Sequence, residues 1–190
     1  MNRSSKTSEP YSLLRAQNRQ WSVKPQDLVV ALKLHCLGAA PWSYASLAAS
    51  LHLSPFEAHA AVQRLLASRL AVEVDGRIRV VVESLKKFVL FGASYVFPPV
   101  RGAVTIGVPT AHAVAPLKGV SAVTDDLPPV WPDPNGAVRG EAILPLYGGA
   151  PRAALDDRKL YELLALFDAL RSGQAREREL AARLFEEHLA

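Results

Sequence analysis

The sequence predicts a mainly α-helical chain with one small β wing, and three observations carry that reading. Apolar residues recur at helical spacing along most of the chain. Ser54-Pro55-Phe56-Glu57 is a capping box with proline at the first helical position. Asp75-Gly76 separates two short alternating runs, which is the signature of a two-residue hairpin. At 190 residues, 49% of them hydrophobic and 21% charged, the chain can bury a real core, and global disorder is excluded.

Residues 1–24 are polar and unpatterned, with Arg3, Lys6, Arg15, Arg19 and Lys24 against the single acid Glu9. They read as a basic flexible arm, with a short helical turn around Tyr11 to Ala16. A first helix opens at Pro25, carries Leu28, Val29, Leu32 and Cys36 inward, and stops at Gly38. Ser43 opens a second, short helix bearing Leu47, Ala48 and Leu51. The third helix, capped by Ser54, buries Ala58, Ala61, Val62, Leu65 and Leu66 and ends near Leu70. Its outward positions are then Pro55, Phe56, His59, Ala60, Gln63 and Arg64. The hairpin follows over 71–74 and 77–82. Alternation assigns Val72, Val74, Ile78, Val80 and Val82 inward and Glu73, Arg77 and Arg79 to water. A fourth helix from about Ser84 to Tyr95 closes this half.

Residues 88–124 hold only two charges, Arg101 and Lys118, and are interrupted by prolines 98, 99, 109 and 116. They read as a buried, irregular wrap without long helices or strands. Trp131 to Gly136 is a turn cluster, and Glu141 to Pro145 a short strand. A helix from Asp156 to Ser172 carries Leu160, Leu163, Leu164, Phe167 and Leu170 on one stripe, with Asp156 and Asp157 at its positive end. A last helix from Ala175 to Leu189 completes a helical hairpin. Three regions result: the arm at 1–24, a compact unit at 25–97 and a C-terminal region at 98–190.

Helix, short helix, turn, capped helix and tight hairpin is the order of a winged helix-turn-helix. The run SYASLAASLHLSPFEAHAAVQRLLASRLAVEVDGRIRV resembles the DNA-binding module of MarR-like bacterial regulators over residues 24–82. That resemblance implies a dimeric, double-stranded-DNA-binding transcription regulator whose third helix is the recognition helix and whose hairpin is the wing. Three residues of that helix become candidate DNA contacts. Gln63 has the chemistry to read adenine, Arg64 to hold a phosphate or guanine, and His59 shares their face. Arg77 and Arg79 are placed to track a phosphate backbone from the wing. The apolar Phe56 and Ala60 and the acidic Glu57 depart from the polar surface expected of a sequence-reading helix.

The charge balance agrees with a polyanion partner for the first half. Residues 1–97 carry 12 Lys/Arg against 6 Asp/Glu, and residues 98–190 carry 10 against 12. No phosphate-binding glycine loop, HExxH or GxSxG motif occurs, so no enzyme activity and no cofactor is expected. Cys36 is the sole cysteine, and His35 beside it lies on another helix face, so neither a disulfide nor a metal site is expected. Asp125-Asp126 lies in a loop, and Asp156-Asp157 reads as helix N-terminal charge rather than a catalytic pair. Tyr95, Phe97, Arg101, His112, Trp131 and Tyr147 either line a pocket or belong to the core.

Residues 1–24 lack the apolar stretch of a secretory signal, and no run reaches 18 apolar residues. The expectation is a soluble cytoplasmic protein without membrane contact. A second functional class stays open: a protein-interaction subunit, antitoxin-like or an adaptor, that keeps the winged helix as a scaffold. The C-terminal stripe either packs on the winged-helix half or serves as a partner or self-association surface.

Overall fold

The computed structural model describes residues 22–119 and 127–190. The arm of residues 1–21, with its expected helical turn, and Asp125-Asp126 lie outside the described residues.

Three helices come first: α1 (Pro25–Leu37), α2 (Tyr44–Ser50) and α3 (Pro55–Ala67). Local chemistry sets their ends. Gly38 closes α1 at φ 57°, where a side chain would be strained. The Ser43 hydroxyl accepts from the Ser46 N–H at 3.1 Å and caps α2. The Ser54 hydroxyl accepts from the Glu57 N–H at 3.2 Å, while the Glu57 carboxylate accepts from the Ser54 N–H at 2.8 Å. This reciprocal box, with Pro55 in the first turn, is the one read from the sequence.

The hairpin β1 (Ala71–Val74) and β2 (Arg77–Val80) turns at Asp75 and Gly76, both at positive φ, as a two-residue primed turn requires. Its facing differs from expectation. A two-residue turn makes Val74 and Arg77 direct partners, and Val72 then faces Arg79. Partners share a face, so Val72 and Val74 stand with the arginines and are about 40% exposed. Only Ile78, Val80 and Val82 pack onto the core from this region, together with the buried Ala71.

The expected fourth helix is present, and it runs from Val82 to Val96 with a π-helical turn inside it. α4 (Val82–Phe88) passes into a π-helical turn at Val89–Ala93 and a final helical turn, α5 (Ser94–Val96), before Pro98 and Pro99. The wrap expected over 88–124 is corrected, because β3 (Arg101–Pro109) is a nine-residue strand and its first half is mostly exposed. β4 (Pro129–Pro132) and β5 (Val138–Ile143) both pair antiparallel with β3 and parallel with each other, so three strands close into a small barrel. The prolines punctuate strand ends here instead of preventing strands. Glycine permits the closure: a Cβ at Gly107 would meet the Trp131 carbonyl oxygen, and one at Gly140 the Pro128 carbonyl oxygen, each at 2.0 Å.

The C-terminal region also begins differently. A helix absent from the sequence reading, α6 (Ala150–Asp156), precedes α7 (Arg158–Ser172) and α8 (Ala175–His188). Asp157, not Asp156, caps α7, accepting from the N–H groups of Lys159 and Leu160 at 3.0 and 3.2 Å. Leu160, Leu163, Leu164 and Phe167 are buried within the chain itself. The stripe proposed as a partner surface is therefore interior.

One hydrophobic core runs from α1 through α3, α7 and α8, and it includes Trp131 of β4. Ionic and hydrogen-bonded ties join the two halves. Lys33 of α1 meets Asp157 at 2.8 Å, His52 meets Asp156 at 3.3 Å, and the Tyr147 hydroxyl donates to the Leu51 carbonyl at 2.5 Å. Under the barrel, the fully buried Asp168 accepts from Thr110 Oγ1, Trp131 Nε1 and Arg171 Nε at 2.7, 2.6 and 2.8 Å. Burial pushes its carboxyl up, against the pull of Arg171 and the other two donors. Arg171 in turn donates to the Leu144 carbonyl at 2.8 Å. A fully satisfied polar network of this kind anchors the barrel to α7.

Candidate nucleic-acid interface

α3 presents a stripe to solvent because its other face is committed to the core. Ala58, Ala61, Val62 and Leu65 are buried, which leaves Phe56, His59 and Gln63 exposed along i, i+3 and i+7. Phe56, at 80% exposure, is an apolar ring at the N-terminal end of this stripe.

Arg64 does not belong to it. Its side chain is buried, and its guanidinium donates from Nε to Asp27 Oδ2 at 2.6 Å and from Nη2 to Asp27 Oδ1 at 2.5 Å. Asp27 is itself fully buried on α1 and also accepts from the Lys24 N–H at 2.8 Å. The expected phosphate or guanine contact by Arg64 is thus corrected: this arginine clamps α3 to α1. Position 64 lies beyond the edge of the exposed arc, and the carboxylate waiting there is 37 residues away in sequence.

Arg77 and Arg79 are exposed on β2, and their side chains and that of Gln63 make no hydrogen bond or ion pair with the described residues. Gln63, Arg77 and Arg79 are among the residues lining a groove of about 820 Å³ between the end of α1, the loop before α2, α3 and the hairpin, together with Ile78 and Val80 of the hairpin's other face. Trp42 and Tyr44 line the same groove. Their rings stand edge-to-face with centroids 5.4 Å apart, and Tyr44 lies 4.9 Å from the His59 ring. A ladder of rings therefore links the groove to the exposed stripe of α3. Glu73 and His35 also face the groove. Sequence reading found Gln63, Arg77, Arg79 and His59 but missed Trp42 and Tyr44. Their signal was the Trp-Ser-Tyr run bracketing the Ser43 cap; both rings are half-buried and pack against the core as well as lining the groove.

The Glu57 carboxyl, beside the stripe, is held below its ordinary range, first by the Ser54 hydroxyl and then by the Ser54 N–H. A negative charge therefore stays at this helix end.

The other candidate groups disperse. Phe97 and Trp131 are buried, Tyr95 is 84% exposed, Arg101 pairs with Glu141 at 2.7 Å, and His112 lies 3.3 Å from Glu177. They form no shared pocket. Burial, aided by the nearby Asp157 charge, pushes the Cys36 thiol up to about 11, which keeps it protonated and unreactive at neutral pH. Among the described residues, no group of three or more His, Cys, Asp or Glu is placed to hold a metal ion, and no helix is long and apolar enough to cross a membrane.

Comparison of the chain with protein-family models, with curated proteins and with solved structures finds no match in any of the three.

Proposed function

We propose that this chain is a winged-helix DNA-binding protein of the transcription-regulator type. In this reading α1 to α3 form the helix-turn-helix and β1–β2 the wing. The observation that supports the proposal is that Gln63, Arg77 and Arg79 line one groove, and that their side chains have no hydrogen-bond or ion-pair partner among the described residues. Guanidinium groups with no ion pair among the described residues are available for phosphate oxygens. Gln63 on the exposed stripe has the amide geometry that pairs with adenine. Phe56 offers an apolar edge suited to a thymine methyl group.

A protein-interaction role remains the second reading. It is favoured by the apolar character of Phe56, Phe91, Tyr95 and Val96, all exposed in this chain. Fluorescence anisotropy with a labelled random-sequence 30-base-pair duplex separates the two. Wild type is expected to bind, and the double variant Arg77→Glu, Arg79→Glu to lose most of that affinity while keeping its thermal melt. Equal binding by the folded variant would remove the hairpin from the interface, and absence of binding by wild type would favour the protein partner.

A further inference from the structure

The groove between α3 and the hairpin contains more than duplex binding uses. Phosphate tracking needs the guanidinium groups of Arg77 and Arg79, and base-edge reading needs the exposed stripe of α3. Neither needs the half-buried rings of Trp42 and Tyr44 at the groove wall. Bases in an intact duplex are stacked on each other and cannot reach a ring set back in a groove. An unpaired base can, because its faces are free to stack.

We infer that this groove receives an unpaired nucleotide, so that the chain favours duplex DNA carrying a single-stranded extension over blunt duplex. The base would lie on the Trp42–Tyr44 wall, its phosphate on Arg77 or Arg79, and the Gln63 amide within reach of the base edge. The groove volume of about 820 Å³ falls in the roughly 300–1,000 Å³ range of sites that enclose one small molecule. Its chemistry is that of a nucleotide: two guanidinium groups for a phosphate, two rings for a π-face and one amide for a base edge. Glu73, also in the lining, disfavours a purely anionic ligand that offers no base.

This inference rests on the DNA-binding reading above, and one experiment tells their failures apart. Affinities are measured for a 20-base-pair blunt duplex and for the same duplex with a 3′ extension of six thymidines. The extended duplex is expected to bind about fivefold or more tightly. Trp42→Ala should abolish that advantage, and Trp42→Phe should restore it. Because Trp42 also packs on the core, wild-type protein supplies a second readout. An extension carrying 5-iododeoxyuridine should photocrosslink to Trp42 or Tyr44, as located by mass spectrometry. Equal affinity for both duplexes, or crosslinks confined to other residues, would overturn the groove assignment and leave the duplex reading standing. Binding to neither DNA would overturn both. Binding to the extended duplex alone would support the groove and defeat the duplex reading.

Discussion

Arg64 of α3 and Asp27 of α1 form a two-pronged ion pair at 2.5 and 2.6 Å, and both side chains are buried. The geometry matches the fork of a guanidinium to the two oxygens of a carboxylate. The pair ties α3 to α1 and acts together with the buried Ala58, Ala61, Val62 and Leu65 in setting the rotation of α3. That rotation decides which residues the helix turns outward, so the clamp helps to position Phe56, His59 and Gln63 without touching any ligand.

Breaking the pair on one side leaves a buried, unpaired charge. Arg64→Ala is expected to destabilise the protein by about 3–5 kcal/mol, read by urea denaturation. The double variant Arg64→Leu, Asp27→Leu should recover much of that loss, since an apolar replacement leaves no stranded charge. If Arg64→Ala melted like wild type and weakened only DNA binding, the arginine would be a surface contact after all.

Leu163 and Phe167 test whether the C-terminal stripe is core or interface. Both are buried in a single copy of the chain, so Leu163→Ala and Phe167→Ala should cost about 2–5 and 3–5 kcal/mol respectively. Calorimetry of each variant is expected to show a lowered or missing transition. A fully stable variant whose only change is a smaller sedimentation coefficient would return the stripe to the role of a dimer surface.

Asp157 ties α7 to α1 and gives the fold an acid limit. Burial acts to raise its carboxyl, but the Lys33 ammonium and the N–H groups of Leu160 and Lys159 outweigh burial and hold it below its ordinary value. A carboxyl lowered on folding stabilises the native state above its unfolded value of about 3.9, and that contribution disappears as pH falls through the lower folded value. Stability should therefore drop below about pH 4, and Lys33→Met should flatten that part of the profile. An unchanged acid limb in Lys33→Met would mean that the bridge contributes nothing. The partial exposure of Asp157 keeps the expected effect small.

What was legible in the sequence was short-range. Ser54, Pro55 and Glu57 declare a helix start within four residues, and Asp75-Gly76 declares a turn within two. The helix limits at Pro25 and Gly38 are of the same kind. Whatever depends on a distant partner was hidden. Arg64 is an outward residue by helical spacing alone, and only Asp27 makes it internal. Of the barrel's strands, β5 overlaps the one expected at Glu141 to Pro145, whereas β3 was missed because proline and low charge suggested an irregular wrap, and β4 because its residues run into a turn cluster. Their pairing joins β3 to segments more than twenty residues away. The facing of Val72 and Val74 was recoverable, since a two-residue turn forces Val74 and Arg77 onto one face. Alternation applied to each strand separately concealed it. Trp42 and Tyr44 became part of the candidate site only once the loop before α2 was seen to wall the groove.

The proposed contact of Arg77 and Arg79 with DNA phosphates is read from the salt dependence of binding. The logarithm of the affinity for duplex DNA is plotted against the logarithm of salt concentration for wild type, Arg77→Gln, Arg79→Gln and the double variant. Each lost phosphate contact should lower the slope by about 0.9, so the double variant should fall by about twice the single change, with thermal stability intact. Parallel lines for all four folded proteins would mean that neither arginine meets a phosphate.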